Sequence, residues 1–217
     1  PFKLVNDRSA LSGQSFPVVQ KLRTGGYDGK GVQILRSPDD IAQSFDAPSV
    51  LEELIPFEKE LSVIVARNPS GQTASFPAVE CLFNEEANLV ELLFSPANIN
   101  LETEQKAQAL ARQVIDELNM TGLLAVEMFL TTDGQLLVNE IAPRPHNSGH
   151  HTIECNITSQ FQQHLRSILD LPLGSTTGVQ AGAMINLLGE KGYDGPVHYE
   201  GLEQALALEG VHPHIYG

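Results

Sequence analysis

The stretch Asn139-Glu-Ile-Ala-Pro-Arg-Pro-His-Asn-Ser-Gly-His-His-Thr-Ile-Glu154 gathers acids, an arginine, three histidines, Asn, Ser and Gly within sixteen residues. An apolar strand over 136–141 runs into it, and a helix is expected to run out of it. Polar groups of both signs at the end of a strand are a usual arrangement for a binding or catalytic site.

The strand that feeds this stretch has a partner. Gly122 to Leu130 reads as a buried strand, Gln135 to Ile141 as another, and Thr132-Asp133-Gly134 lies between them. Asp-Gly is a strong hairpin signal. If Asp133 and Gly134 form a two-residue turn, Thr132 pairs with Gln135, and counting back along both strands puts Glu127 opposite Glu140. Facing carboxylates destabilise a sheet. A hard cation such as Mg²⁺ removes that conflict, because it takes one or two carboxylates and completes its shell with phosphates and water. A protonated Glu, or a turn of another length, would remove it as well.

A second polar stretch lies near the start. Thr24-Gly-Gly-Tyr-Asp-Gly-Lys-Gly31 holds four glycines in eight residues between two short apolar strands, 16–22 and 31–36. A glycine-rich tip exposes successive N–H groups and allows close approach to phosphates. Lys21 and Lys30 bracket it. No Gly-Lys-Ser/Thr enters a helix, so this is not a Walker A loop. A plain flexible hairpin is the other reading.

The remaining elements serve to position these two stretches. Residues 1–15 form a weakly patterned lead-in. Ser37-Pro-Asp-Asp40 opens a short helix ending before Pro48. Strands are expected at 50–55 and 59–67, with returns at 74–83 and 89–94, which makes an antiparallel meander. Glu52, Glu53 and Glu60 read there as solvated face residues. Leu101 to Asn119 is the clearest helix: Asn100 can cap it, and Ala107, Leu110, Ala111, Val114, Ile115 and Leu118 form one apolar stripe. A helix over 159–170 is expected to turn Phe161, Leu165, Ile168 and Leu169 inward. A strand over 181–188, a short helix over 201–208 and a strand over 211–216 complete the chain.

The 217 residues suffice for one large domain or two small ones, and for a substantial core. A net charge of −14 argues against a nucleic-acid surface and a polybasic membrane patch. Cys81 and Cys155 lack metal spacing and read as buried thiols of a reducing compartment. No apolar run reaches spanning length. The expectation is a cytoplasmic enzyme or binding protein. The chain begins at Pro1 and stops in what reads as a strand and turn, so it is expected to be part of a longer protein.

Taken in order, Lys21, Gly25-Gly-Tyr-Asp-Gly-Lys-Gly31, Glu52-Glu-Leu-Ile55, Glu60, Glu127 and Asn139-Glu140 resemble the ATP-site elements of the ATP-grasp enzymes. Within that superfamily, the glycine loop and Ala142-Pro-Arg-Pro-His-Asn-Ser-Gly-His150 resemble the N5-carboxyaminoimidazole ribonucleotide synthases, across essentially the whole chain. The resemblance implies an α+β, ATP-grasp fold. Its parts would be a small lid (residues 1–48), a larger antiparallel-sheet body (49–174) and a small C-terminal β-containing piece (175–217). The family's N-terminal nucleotide-fold domain would be absent from this chain.

It also implies roles. Lys21 and Lys30 would contact ATP phosphates while Gly25, Gly26, Tyr27, Asp28, Gly29, Lys30 and Gly31 close over them. Glu52, Glu53, Leu54 and Ile55 would meet the adenine edge, Glu60 the ribose, and Asn139 and Glu140 the nucleotide side of the body. Glu127 and Glu140 would hold Mg²⁺. Arg144, His146, Asn147 and Ser148 would hold bicarbonate and carboxyphosphate, helped by Tyr27 and Lys30 on closure. Arg suits planar anions because its guanidinium donates two parallel bonds. The implied reaction is ATP-dependent carboxylation of aminoimidazole ribonucleotide by bicarbonate in purine biosynthesis. The family is often homodimeric.

This chain departs from the family in three ways. Ala142 stands where many ATP-grasp sites have an Asn ligand, and Phe83 where many members have a His. The family's preceding domain, and basic residues beyond Gly217, would be missing from this chain. Rival readings are a formate-dependent glycinamide ribonucleotide enzyme of the same superfamily, expected to show His-Asp-Thr-Gly where this chain has His146-Asn-Ser-Gly149; a zinc protein using His146, His150 and His151; and a non-catalytic nucleotide-binding fragment.

Overall fold

Alternating side chains build the first 53 residues into a four-stranded antiparallel sheet. Its strands are Phe2–Val5 (β1), Val18–Leu22 (β2), Val32–Leu35 (β3) and Ser49–Glu53 (β4), in the order β1-β4-β2-β3. The computed structural model describes residues 2–26, 30–84, 89–187, 192 and 195–215, with 83–84 and 89–91 as backbone alone. One face of the sheet buries Val5, Val18, Leu35 and Leu51 against Leu11 of a 3-10 turn, Arg8–Leu11. The expected helix after Ser37 is a 3-10 helix, Pro38–Gln43, and Asp40 Oδ2 accepts from the N–H groups of Arg36 and Ser37.

The opposite face carries Leu4, Val19, Lys21, Ile34, Val50 and Glu52, as the strand registers require. The lead-in to residue 15 is thus more ordered than its weak pattern suggests.

The second sheet is antiparallel and has seven strands: Phe57–Arg67 (β5), Thr73–Ser75 (β6), Val79–Asn84 (β7), Leu89–Ser95 (β8), Gly122–Thr131 (β9), Leu136–Ala142 (β10) and Gly182–Ile185 (β11). Its path runs β10-β9-β5-β7-β8-β11, and β6 pairs with β5. The expected return at 74–83 is split between β6 and β7. Of the turn expected at 84–88, Asn84 ends β7 and the remaining residues, 85–88, lie outside the described residues.

Helix Leu101–Glu117 (α1) covers one face of this sheet. Asn100 caps it by accepting from Thr103 N–H at 2.8 Å. Ala107, Ala111 and Ile115 recur every four residues and pack on Leu61, Val63, Val65, Leu124, Val126 and Met128. Leu118, assigned to the stripe from its spacing, is instead exposed, because the helix ends before it.

On the other face Ile64, Ala66, Phe76, Leu123, Ala125 and Ala142 form a second apolar cluster. Short helix Thr152–Cys155 (α2) and helix Gln160–Ile168 (α3) follow the polar stretch, and Ser159 caps α3. The expected inward face of α3 is reversed. Gln160, Gln163 and Ser167 are buried, whereas Phe161, Leu165, Ile168 and Leu169 are exposed.

Residues 187–217 make a separate unit. It contains helix Leu202–Leu206 (α4), and residues 211–215 are not in a strand as expected. Among the described residues no helix is long and apolar enough to cross a membrane.

Candidate functional site

The alternation of β5 and β9 that buries Val63 and Val126 under α1 sends Ser62, Glu60 and Glu127 to the opposite face. Ser62 pairs with Glu127, and Glu127 with Glu140, so the three stand in one row across β5, β9 and β10. Cys81 stands beside Glu60 on that face, and Glu60, Cys81, Glu127, Phe129 and Asn139 line one small cleft.

The facing pair Glu127–Glu140 arises from two offsets that cancel. The turn has three residues: Thr131 N–H donates to Gln135 O at 2.9 Å, Gly134 N–H donates to Thr131 O at 2.9 Å, and Gly134 has φ +81°. This shifts the pairing by one residue from the two-residue count. A bulge at Asn139, between Val138 and Glu140, shifts it back. The bulge also turns Asn139 toward the first sheet. Lys21 Nζ donates to Asn139 Oδ1 at 2.8 Å and lies 2.8 Å from Glu52 Oε2.

The carboxylates are under strain from burial and from each other. Burial, then the charge of Glu140, raises Glu127 to about 7, while Arg144 and Lys21 oppose the shift. Burial, then Glu127, raises Glu60 to about 7. Burial and the nearby Glu127, Glu60 and Glu80 push the Cys81 thiol far up, so it stays protonated. Two carboxylates in register, one buried and held toward its neutral form, suit a divalent cation. Among the described residues no three His, Cys, Asp or Glu converge on one point. The pair would therefore leave most of a Mg²⁺ shell to phosphate and water. Ala142 is buried in the apolar cluster and adds no ligand.

The polar stretch folds back over this face. His146 Nε2 lies 3.6 Å from Glu127 Oε1. Residues Asn147–Gly149 form a 3-10 turn in which Ser148 is fully buried. The Ser148 hydroxyl is 2.8 Å from His146 Nδ1 and 2.7 Å from Ser62 Oγ. It therefore backs the ring of His146 within the fold. Arg144 is exposed, its guanidinium donates to Pro145 O at 3.2 Å, and it is near enough to lower Glu127. Asn147 is half-buried.

His150 Nδ1 meets Gln160, and His151 is buried with neither ring nitrogen hydrogen-bonded. The three histidines thus have separate surroundings and form no zinc site.

Glu52 shares the open face of the first sheet with Lys21, and Glu53, Leu54 and Ile55 continue toward β5. Gly25, Gly26, Lys30 and Gly31 flank the glycine loop. Gly31 has φ +86°, and a Cβ there would press on Gly26 Cα and Leu22. Tyr27, Asp28 and Gly29 lie outside the described residues, as does the side chain of Phe83. Sequence reasoning missed Ser62 and Gln160. The alternation of β5 marks Ser62, since it falls on the same face as Glu60. Gln160 belongs to a polar stripe with Gln163 and Ser167 that the apolar stripe of α3 overshadowed.

The model of the ATP-grasp domain family matches residues 3–161. The chain is 42% identical to N5-carboxyaminoimidazole ribonucleotide synthase of Bacillus subtilis (strain 168) over 199 residues, 88% of this chain and 52% of that protein. It is 44% identical to the Synechococcus elongatus enzyme of the same name, covering 96% and 53%. It therefore spans about half the length of these curated relatives. The crystal structure of N5-carboxyaminoimidazole ribonucleotide synthetase from Thermotoga maritima matches all of this chain and 57% of that one, with TM-score 0.86 and 45% identity. An Aspergillus clavatus synthase solved with ADP and 5-aminoimidazole ribonucleotide matches 88% of this chain and 52% of that one, with TM-score 0.79 and 32% identity.

Proposed function

The chain belongs to the ATP-grasp family, and from that premise we propose that it carries the nucleotide site of an ATP-dependent carbon–nitrogen ligase, an N5-carboxyaminoimidazole ribonucleotide synthase. The observation that carries the reading is the cross-strand pair Glu127–Glu140, with Lys21 and Arg144 close enough for their charges to act on Glu127. Carboxylates in register are a liability in a sheet unless a cation and phosphates occupy them.

In this reading ATP lies between the open face of the first sheet and the polar face of the second. Leu4, Val19, Ile34 and Val50 give the adenine an apolar surface, and Glu52 to Ile55 meet its polar edge. Glu60 accepts from the ribose hydroxyls. Lys21 and Lys30 neutralise phosphate, and the loop from Gly25 to Gly31 closes over it. Glu127 and Glu140 would hold Mg²⁺, which would supply further charge neutralisation to the phosphates. A bicarbonate oxygen attacks the γ-phosphorus, the bond to ADP breaks, and carboxyphosphate forms. The exocyclic amine of aminoimidazole ribonucleotide then takes the carboxyl carbon and phosphate leaves. Arg144, His146 and Asn147 hold the anionic groups in place, which is most of the catalysis that phosphoryl transfer needs.

The division expected at 1–48, 49–174 and 175–217 belongs to the same reading with both boundaries moved: the lid runs to Glu53, because β4 pairs with β1 and β2, and the body runs to Ile185, because β11 pairs with β8. A cytoplasmic location and a homodimer belong to that reading as well.

The test is ADP release from Mg-ATP and bicarbonate by the full-length protein, with and without aminoimidazole ribonucleotide. Stimulation by that substrate is expected. Stimulation by formate and glycinamide ribonucleotide instead would move the assignment to the sister enzyme. Mg-ADP binding with neither stimulation would leave a nucleotide-binding module.

A further inference from the structure

Three buried glutamines make the same clamp on the backbone. Gln20 accepts from Phe45 N–H at 3.0 Å and donates to Phe45 O at 2.9 Å. Gln163 treats Gly174 likewise, at 2.8 and 3.0 Å. Gln160 does so with His146, at 2.9 and 2.8 Å. A planar amide offers one acceptor and two donors, so it can pair with a residue's N–H and C=O as a neighbouring strand would. The first two clamps tie down loops. The third holds the residue whose ring faces Glu127. Its remaining amide hydrogen meets His150 Nδ1 at 2.9 Å.

The ring of His146 is then set by its other contacts. The backbone N–H of Ser148 points at Nδ1 from 3.3 Å. A backbone N–H cannot accept, so Nδ1 must present its lone pair, and the ring hydrogen sits on Nε2. The Ser148 hydroxyl adds a second donor at 2.8 Å, and Ser62 Oγ stands 2.7 Å behind it. Nε2–H therefore faces the carboxylate row.

We propose that Gln160, with Ser148 and Ser62, is a positioning device that presents His146 to the site as its Nε2–H tautomer, a fixed hydrogen-bond donor to an anion and not a base. Gln160 sets the backbone of His146, and the two serines set its ring. The assignment of an anionic reactant rests on the synthase reading; the tautomer and its supports do not. A donor fixed before the reaction loses no ordering entropy when charge develops near it.

Two measurements test this. Long-range ¹H–¹⁵N correlation spectra of the histidine-labelled chain, without nucleotide, should show His146 as the Nε2–H tautomer, with His146→Gln identifying its signals. An Nδ1–H pattern overturns the proposal whatever the reaction is. In the full-length protein, Gln160→Glu keeps the shape but removes both donated hydrogens. It should lower kcat for substrate-dependent ADP release on the order of tenfold, with KM for ATP changed by less than about twofold. Gln163→Glu, which breaks the same clamp on Gly174, should lower thermal stability and leave both tautomer and kcat unchanged. Equal losses of kcat in the two variants, or no loss in Gln160→Glu, overturn the positioning role. If the unaltered protein shows no substrate-dependent turnover, the synthase reading fails and the spectra still decide this proposal.

Discussion

Lys21 Nζ lies 2.8 Å from Asn139 Oδ1, a contact that bridges the four-stranded sheet and the seven-stranded one. Lys21 comes from the interior strand β2, and Asn139 reaches it only because the bulge in β10 turns it out of the ladder. Glu52 and Asn139 together hold the Lys21 ammonium between the two sheets.

Lys21→Met keeps the apolar stem and removes the charge. It should weaken Mg-ATP binding about tenfold, the size of one charge-assisted hydrogen bond to phosphate. Calorimetric titration checks this. The fold should survive, since the bridge to Glu52 is a partly exposed ion pair worth under about 1 kcal/mol. Unchanged affinity would remove Lys21 from the phosphate site.

Glu127 predicts a link between pH, metal and stability. Its folded value near 7 lies above the ordinary 4.5. The folded chain then holds a proton more tightly than the unfolded chain between those values. Metal-free stability should fall as pH rises through that window, by up to about 3 kcal/mol from this group. Mg²⁺ needs the ionised pair, so the rise in Tm on adding Mg²⁺ should be larger at pH 8 than at pH 6. Glu127→Gln should abolish that difference and raise the metal-free Tm at pH 8. Melting curves at the two pH values with and without a chelator decide it.

The same pair shows how far the sequence was legible. Asp133-Gly134 announced the turn but not its length, because two- and three-residue hairpins both favour Gly there. Nothing in Val138-Asn139-Glu140 marks a bulge, since the requirement for it comes from Lys21 in another sheet. The facing carboxylates were foreseen because the two offsets are equal and opposite. The α3 helix failed differently. Its period was legible, and its sense was not. Burial there is decided by the backbone groups of His146 and Gly174, which need amide partners that only Gln160 and Gln163 supply. Apolar periodicity carries no information about such backbone demand.

His151 predicts the opposite pH dependence. Burial lowers it to about 4, helped slightly by His150 and opposed by the Ser148 carbonyl, which lies outside hydrogen-bonding geometry. An unfolded His takes its proton near 6.5, so stability should fall as pH drops from 6.5 toward 4, by about 3 kcal/mol at the lower end. This opposes the Glu127 effect in the same window, so the two are separated by variants. His151→Phe removes the ionisable ring, and its Tm should fall less between pH 7 and pH 4.5 than that of the unaltered protein. An identical fall would assign acid sensitivity elsewhere.

Gly149 and Gln160 give a prediction about packing. Gly149 does not need a left-handed backbone, yet an added Cβ would overlap the Gln160 amide. The end of a glutamine is usually free to move aside. Here it is pinned by His146 N–H, His146 C=O and His150 Nδ1, in a site with no exposure. Gly149→Ala should therefore cost about 1–3 kcal/mol, as other overpacked positions do. Gln160→Ala should also destabilise, because the His146 backbone groups lose their partner. The two losses should not add: with Gln160 shortened, the alanine methyl has room, and the double variant should be more stable than the sum of the single losses predicts. Denaturant unfolding of the four proteins measures that coupling. Strict additivity would mean that the amide yields to the methyl without losing its hold on His146.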